Sequence, residues 1–482
     1  MTAADLIVLS PLVVIAAASV LVMLLIAVRR HHASAVGVAV LGFLLAGAAL
    51  FVAGAEVPRR VAPLLVLDLY ALFFIGLILA AGFAVTVLAA GYMGERSGQR
   101  EEFYLLLLLA TLGCLVLVAS SHFVSLFLGL ELLTVSLYVM IAYPRADRRS
   151  LEAGVKYLIL AAASSAFLLF GMALVYAELG TMEFGRMAAV LTSRVDLDQR
   201  LLLAGLAMMV TGIGFKLAVV PFHMWTPDVY EGAPAPVTAF VATASKGAMF
   251  ALLLRYFVET GAYAYRPILL AFGVIAITSM IAGNLLALMQ DNVKRILAYS
   301  SIAHLGYLLV AFLAGGAWAV EAATYYLVAY FVTTLGAFGV VTVLSDRRRD
   351  ADALADYRGL FWSRPWLAVI FTAMLLSLAG IPLTAGFVGK FYVLAAGVGS
   401  ALWTLVVVLV VGSAIGLYYY LRIVVVMFAP ATPGPEETPA LAPVFPLAGR
   451  VVLAVLTFLL AWFGVYPAPL MRLIQATVAH LG

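Results

Sequence analysis

Runs of about twenty apolar residues recur along the whole chain, separated by short polar connections. At a rise of about 1.5 Å per residue, twenty residues of α-helix span a hydrocarbon core. The pattern predicts about fourteen membrane-spanning helices, near 5–28, 34–55, 68–92, 103–119, 122–143, 153–177, 201–224, 237–258, 267–289, 295–315, 319–344, 366–395, 400–428 and 448–470. A transmembrane β-barrel would instead show short alternating segments. The expected fold is an all-α polytopic membrane protein. Its longest polar connections are 178–200, 345–365 and the proline-rich 429–447, loops too short for a soluble cofactor-binding module.

Two of the predicted helices are interrupted near their middle by proline with small residues around it. One is TGIGFKLAVVPFHMW, with Gly212, Gly214 and Pro221; the other is LAGIPLTAGFVGKF, with Gly380, Pro382, Gly386 and Gly389. Proline frees a carbonyl, and inside a membrane the opened backbone must be buried or line a wet cavity. Interrupted helices at matching places in two halves point to an inverted repeat with ion sites at its interface.

Composition changes the picture in one respect. Of 482 residues 65% are hydrophobic and 11% charged, as a polytopic membrane protein requires, and 28 are Lys or Arg, of which five are lysine. Three of those five sit inside apolar runs: Lys216, Lys246 and Lys390. A charge at mid-bilayer costs about 2.5–3.5 kcal/mol on insertion scales. Lysine is the cation that can give up its proton when buried, whereas guanidinium stays charged. The chain reads as one that moves protons or cations.

Each candidate has a bland reading beside the functional one. Lys216 is nine residues from Trp225, about 13 Å along a helix, too far for its side chain to reach the headgroups. Lys246 lies ten residues after Pro236 and nine before Arg255, at the centre of its helix. Lys390 is seven residues before Gly397, so stretching to the interface is more credible there. Glu131, alone at mid-helix, is either a neutral carboxylic acid tying helices together or a charge partner to Lys216. His304, in a stretch with Tyr299, Ser300, Ser301 and Tyr307, is either a satisfied interior histidine or a proton-relay step. Lys156, near the inside end of its helix, reads as a snorkelling lysine with proton uptake as the alternative; His223 is a weak, interfacial candidate. The small-residue strings GLAMMVTGIG and GVGSALW read as helix packing.

The lone Cys114 excludes a disulfide framework and a cysteine metal cluster, and no P-loop, dinucleotide fingerprint, CxxC or HExxH occurs. Asp5 precedes the first apolar run and Arg29, Arg30, His31 and His32 follow it, the reverse of a cleaved signal, so the run reads as a retained helix. With the N-terminus outside, the inside loops collect Arg29, Arg30, Arg96, Arg100, Arg145, Arg148, Arg149, Lys294, Arg295, Arg347, Arg348, Arg349, Arg358 and Arg364. The other side holds mainly Arg59, Arg60, Arg186, Arg194, Arg200 and Arg266. That bias places both termini outside, in the periplasm of a bacterial inner membrane. The net charge of +4 therefore reports topology rather than nucleic-acid binding. The segment DRRRDADALADYRG reads as a solvated inside loop, with docking of a partner subunit as the alternative.

With these residues in view, the chain resembles the antiporter-like membrane subunits of respiratory complex I, the NADH–quinone oxidoreductase. The stretches that carry the resemblance are LGLELLTVSLYVM, KYLILAAASSAFLLFG, GFKLAVVPFHMWTPDVYEGAPAPVTAFVATASKGA, NVKRILAYSSIAHLGY and LAGIPLTAGFVGKFYV, spanning roughly 120–395. Lysine in the second interrupted helix, and a chain that stops one helix later, fit one subunit type of that family.

The resemblance implies helices 1–3 over 1–102, two inverted five-helix repeats over 103–258 and 267–428, each with a broken helix, and a final loop and helix over 429–482. It implies a Glu131–Lys216 pair, a central Lys246 and His304, and an exit Lys390. It implies no cofactor on this chain, with NAD, FMN, Fe–S clusters and quinone on partner subunits or at their interfaces. The partners would be the other membrane subunits of a hetero-oligomer, within membrane lipid. A subunit of a multi-subunit Na+/H+ antiporter or of a membrane-bound hydrogenase would share the same lysines, and a passive structural subunit would use the charges only to hold helices together.

Overall fold

A computed structural model describes residues 2–96, 98–193, 198–430, 447–479 and 481. Arg194 and most of the proline-rich connection, 431–446, lie outside the described residues. The main helices are α1 Ser10–Val28, α2 His32–Ala53, α3 Leu69–Gly94, α4 Glu102–Ala119, α5 Phe123–Ile141, α6 Arg148–Leu179, α7 Gln199–Leu217 and α8 Trp225–Gly232. They continue as α9 Ala235–Thr260, α10 Arg266–Leu288, α11 Val293–Ala314, α12 Gly316–Leu344, α13 Pro365–Ala379, α14 Ala385–Gly399, α15 Trp403–Phe428, α16 Leu447–Val465 and α17 Ala468–Val478.

Among the described residues thirteen helices are long and apolar enough to cross a membrane. The shorter α13 and α14, joined through residues 380–384, supply a fourteenth pass, which agrees with the hydropathy pattern. Side-chain caps set several starts: Asp68 accepts from the Ala71 N–H, Asp198 from the Arg200 and Leu201 N–H groups, and Asn292 from the Arg295 N–H.

Local order in the loops exceeds what the sequence pattern predicts. A two-stranded antiparallel ribbon, β1 Arg59–Val61 with β2 Leu65–Leu67, closes the connection between α2 and α3. A short helix, Phe184–Ser193, occupies part of the connection 178–200, and α17 follows the last predicted span. Neither segment is long enough to register as a membrane run.

The most completely buried passes are α9, α11 and α12, which make the centre of the molecule, while α1, α2, α15 and α16 turn much of their apolar surface outward. The small-residue strings do pack helices. Gly205 of α7 meets the backbone of Gly171 on α6, and Gly212 meets Leu168.

The second broken pass depends on one such glycine. A Cβ at Gly386 would collide with the carbonyl of Ser377, the last turn of α13, and the clash is with backbone rather than a movable side chain. Gly386→Ala is therefore expected to destabilise the protein by about 3 kcal/mol, the upper range for overpacking. Thermal unfolding of the purified assembly checks this, with a lowered midpoint and yield expected.

Candidate functional site

The two breaks end in the same local geometry. α7 stops at Leu217 because Ala218 turns left-handed (φ 61°), and the Val219 N–H closes back to the Gly214 carbonyl at 3.0 Å. α13 stops at Ala379 because Gly380 turns left-handed (φ 87°), and the Ile381 N–H closes back to the Leu376 carbonyl at 3.0 Å. Three further groups around the breaks find partners inside the protein. Trp225 donates its indole N–H to the Phe215 carbonyl at 3.0 Å, the Val220 N–H donates to Ser279 Oγ at 2.9 Å, and the Gly386 N–H donates to Ser377 Oγ at 3.1 Å.

Lys216 sits in the last turn of α7, buried to 3% exposure, where the helix dipole favours a cation. Its Nζ donates to Thr134 Oγ1 and Tyr157 OH, both at 3.0 Å. Glu131 lies one turn before Thr134 on α5 and accepts from Ser165 Oγ of α6 at 2.6 Å. Glu131 and Lys216 make no ion pair within 4.0 Å; Lys216 is tied to both α5 and α6 through hydroxyl groups, and Glu131, on α5, is tied to α6. Around the lysine, Tyr157, Phe215 and Trp225 pack ring against ring, with centroids 4.9–6.0 Å apart.

Lys246 follows directly on a wide π turn, Val241–Ser245, in α9. It is 1% exposed, and its Nζ donates to Ser301 Oγ at 2.7 Å and lies 5.3 Å from the Tyr230 ring centroid. Ser301 Oγ is 2.6 Å from Tyr330 OH. One turn on along α11, His304 has Tyr326 OH 2.7 Å from Nδ1 and Tyr420 OH 3.3 Å from Nε2, and the Tyr420 hydroxyl also bonds Ser300. The hydroxyl chain from Lys246 ends at Tyr330, whose ring centroid lies 5.6 Å from that of His304.

Lys390 does not stretch to the interface. It is 6% exposed and turned back on the break: its Nζ donates to the Leu378 carbonyl at 2.8 Å, the Ala379 carbonyl at 2.9 Å and Ser413 Oγ at 2.6 Å. An ammonium thus caps the negative end of the half-helix α13. It also lies 5.2 Å from the ring centroid of Tyr307, whose hydroxyl accepts from Asn284 Nδ2 at 2.9 Å.

The weaker candidates fall at the edge. Lys156 pairs with Asp228 of α8 at 2.8 Å and Glu152 at 2.7 Å, so it is held by carboxylates rather than extended to headgroups. His223 is buried beside the first break. Trp225 is 2% exposed and closes the end of α7.

Sequence reasoning missed a charged clamp around α8. Asp228 and Glu231 take Arg295 at 2.9 Å each. Lys294, assigned above to an inside loop, is 1% exposed and donates to the Glu231 and Ala233 carbonyls and to Asp350 at 2.8 Å. Burial alone would push the Asp350 carboxyl up, but Lys294 and Arg96 hold it down at about 2. So Asp350, inside DRRRDADALADYRG, is a largely enclosed anchor, its side chain 10% exposed, and not a solvated charge. The signal was present in WTPDVYEG, two carboxylates between two lysine-bearing segments. Among the described residues no group of three or more His, Cys, Asp and Glu could hold a metal ion.

The chain is similar to known proteins over nearly its whole length. The family described as NADH:quinone oxidoreductase/Mrp antiporter, TM matches residues 120–416, which include both breaks and Lys216, Lys246, His304 and Lys390. NADH-quinone oxidoreductase subunit N of Nitrosospira multiformis is 55% identical over 485 residues, covering 98% of this chain and 96% of that protein. A chain in the structure of respiratory complex I from Thermus thermophilus with bound aureothin superposes with a TM-score of 0.81 at 33% identity, over 96% of this chain and 98% of that one. A chain of the Mrp complex from Dietzia sp. DQ12-45-1b gives a TM-score of 0.87 at 21% identity, over 100% and 98%, a likeness of fold alone.

Proposed function

The chain belongs to the NADH:quinone oxidoreductase/Mrp antiporter membrane family, and on that footing we propose that protons cross it along the axis of buried lysines. It is a multi-pass, proton-translocating membrane subunit of NADH–quinone oxidoreductase, one of several membrane subunits in that hetero-oligomer, and it is of the subunit N type. Likeness to subunit N over nearly the whole length decides this against the Mrp reading, which rests on fold.

In the proposed path Lys216 takes a proton from the inner face, Lys246 and His304 pass it laterally, and Lys390 releases it outward. Glu131, one helical turn from the Thr134 hydroxyl that Lys216 contacts, sets the charge on that lysine. NAD, FMN, Fe–S clusters and quinone would act on partner subunits, so this chain is driven by electron transfer elsewhere. Moving one charge against 100 mV costs about 2.3 kcal/mol. At about 1.36 kcal/mol per pK unit, a swing of about two units at a relay lysine supplies it.

The observation that carries the reading is two hydroxyl-bonded groups side by side inside otherwise apolar passes, Lys246–Ser301–Tyr330 and Tyr326–His304–Tyr420, with the Tyr330 and His304 ring centroids 5.6 Å apart and Tyr307 between His304 and Lys390. The matching caps at Ala218 and Gly380 support two inverted repeats, over 103–258 and 267–428, with one break in each. Charge clustering supports periplasmic termini. Arg96, Arg149, Lys294 and Arg295 join one network around Asp350 and Glu231, while Arg59 and Arg60 engage Asp5 and Glu183.

The test is Lys216→Ala in the assembled complex. Coupled proton pumping is expected to be lost and quinone reductase activity to fall. Unchanged pumping and turnover would contradict the path.

A further inference from the structure

The five lysines fall into two groups by partner. Lys156 meets Asp228 and Glu152, and Lys294 meets Asp350. Among the described residues Lys216, Lys246 and Lys390 have no carboxylate oxygen within 4.0 Å. Each has a tyrosine ring instead. The Tyr157 centroid lies 5.7 Å from Lys216 Nζ, that of Tyr230 5.3 Å from Lys246 Nζ, and that of Tyr307 5.2 Å from Lys390 Nζ. Lys216 reaches its tyrosine through the hydroxyl as well, whereas Lys246 and Lys390 place their hydrogen bonds on other groups and meet the ring alone.

Both of these rings are buried and held from behind. Tyr230 sits on α8 between Asp228 and Glu231, whose ion pairs with Arg295 fix that helix. Its hydroxyl lies 3.4 Å from Ser301 Oγ, the group that also accepts from Lys246. Tyr307 lies on α11, and its hydroxyl accepts from Asn284 Nδ2 at 2.9 Å. The face of an aromatic ring attracts a cation through its quadrupole, most strongly where water is excluded. It carries no net charge. A lysine paired with a buried carboxylate leaves that carboxylate unpaired on losing its proton, at high cost. A lysine that faces a ring leaves nothing charged behind.

We propose that Tyr230 and Tyr307 are positioning residues for proton transfer, their ring faces standing in place of a carboxylate as the partners of the Lys246 and Lys390 ammonium groups. The proposal rests on the lysine path, since it names what steadies each lysine while the proton is on it. The ring holds the ammonium in its pocket. When the proton moves on from Nζ, the neutral amine has no opposite charge beside it to draw the proton back, and no bond other than N–H changes. Lys156 and Lys294, gripped by carboxylates, are built to stay charged and brace the α8 clamp.

The experiment is proton pumping by the assembled complex in proteoliposomes, with Tyr230→Phe as the reference and, at the same position, phenylalanines carrying one, two and three ring fluorines. Fluorine draws charge from the ring face and weakens its hold on a cation while scarcely changing its shape. The rate is expected to fall stepwise from the Tyr230→Phe value, to about a tenth of it at three fluorines. A rate that stays level across the series overturns the proposal, because packing alone does not respond to the charge on a ring face. If Tyr230→Phe does not assemble or does not pump, the same series at Tyr307 reads the partnership with Lys390 and decides the proposal in the same way. Pumping by Lys246→Met, measured beside the series, reports on the lysine path separately. Pumping retained there contradicts the path whatever the series shows, and a level series contradicts the role of the ring whatever Lys246→Met shows.

Discussion

Lys246→Met is expected to slow proton passage through this chain by about a hundredfold or more, the contribution a positioned proton-transfer group makes, while leaving assembly intact. The two effects separate because of what Lys246 touches. Its Nζ makes one side-chain hydrogen bond, to Ser301 Oγ, and Ser301 keeps Tyr330 OH at 2.6 Å when the lysine is gone. Methionine preserves most of the stem's volume in a helix packed on all sides, so no large cavity opens. The cost to stability is expected to stay near 1 kcal/mol, the scale of one hydrogen bond. What is lost is the sole lysine between the two broken passes that reaches the Ser301 and His304 hydroxyl network. Proton uptake measured beside thermal unfolding, on the same preparation, checks both halves of the expectation.

Lys390→Ala should behave differently, failing in stability as well as in function. The Lys390 ammonium satisfies the Leu378 and Ala379 carbonyls at the open end of α13, and Ser413 Oγ, at 3.3 Å from the Ala379 carbonyl, can replace it at one of them. The Leu378 carbonyl is then left buried without that donor, and the half-helix loses the cation at its negative end. An unsatisfied buried carbonyl costs about 1–3 kcal/mol and a helix-end cation contributes up to about 2 kcal/mol. A loss of about 2–4 kcal/mol in unfolding free energy is expected, together with loss of outward proton release. An unfolding midpoint equal to that of the parent would show that the capping contacts carry no stability.

The contrast between these two lysines was only half legible in the sequence. Hydropathy located three of the four buried lysines, Lys294 being the exception, because a charge within twenty apolar residues stands out whatever the fold. Proline and glycine located both breaks, because Pro221 and Pro382 cannot continue a helix and Gly380 accepts a left-handed turn. Partners were not legible, since each comes from another helix. The carbonyls that hold Lys390, the hydroxyls that hold Lys216, and Ser301 beside Lys246 are apolar or neutral residues that a scan for charges passes over. The same limit explains the errors. Lys294 reads by position as an inside-loop charge, yet tertiary packing buries it under Asp350, as it buries Trp225 against the end of α7. Glu131 and Lys216 make no direct ion pair: Lys216 bonds hydroxyl groups of α5 and α6, and Glu131, on α5, bonds the Ser165 hydroxyl of α6, contacts that charge counting along the sequence does not reach.

The central claim is that buried lysines carry protons and do not merely hold helices together. Protons translocated per NADH oxidised, measured in proteoliposomes with the complex carrying Lys246→Met and Lys390→Gln together, tests it most directly. The account predicts a lower ratio than the parent complex gives under the same driving force. A ratio equal to the parent's would contradict it and leave these lysines a structural role alone.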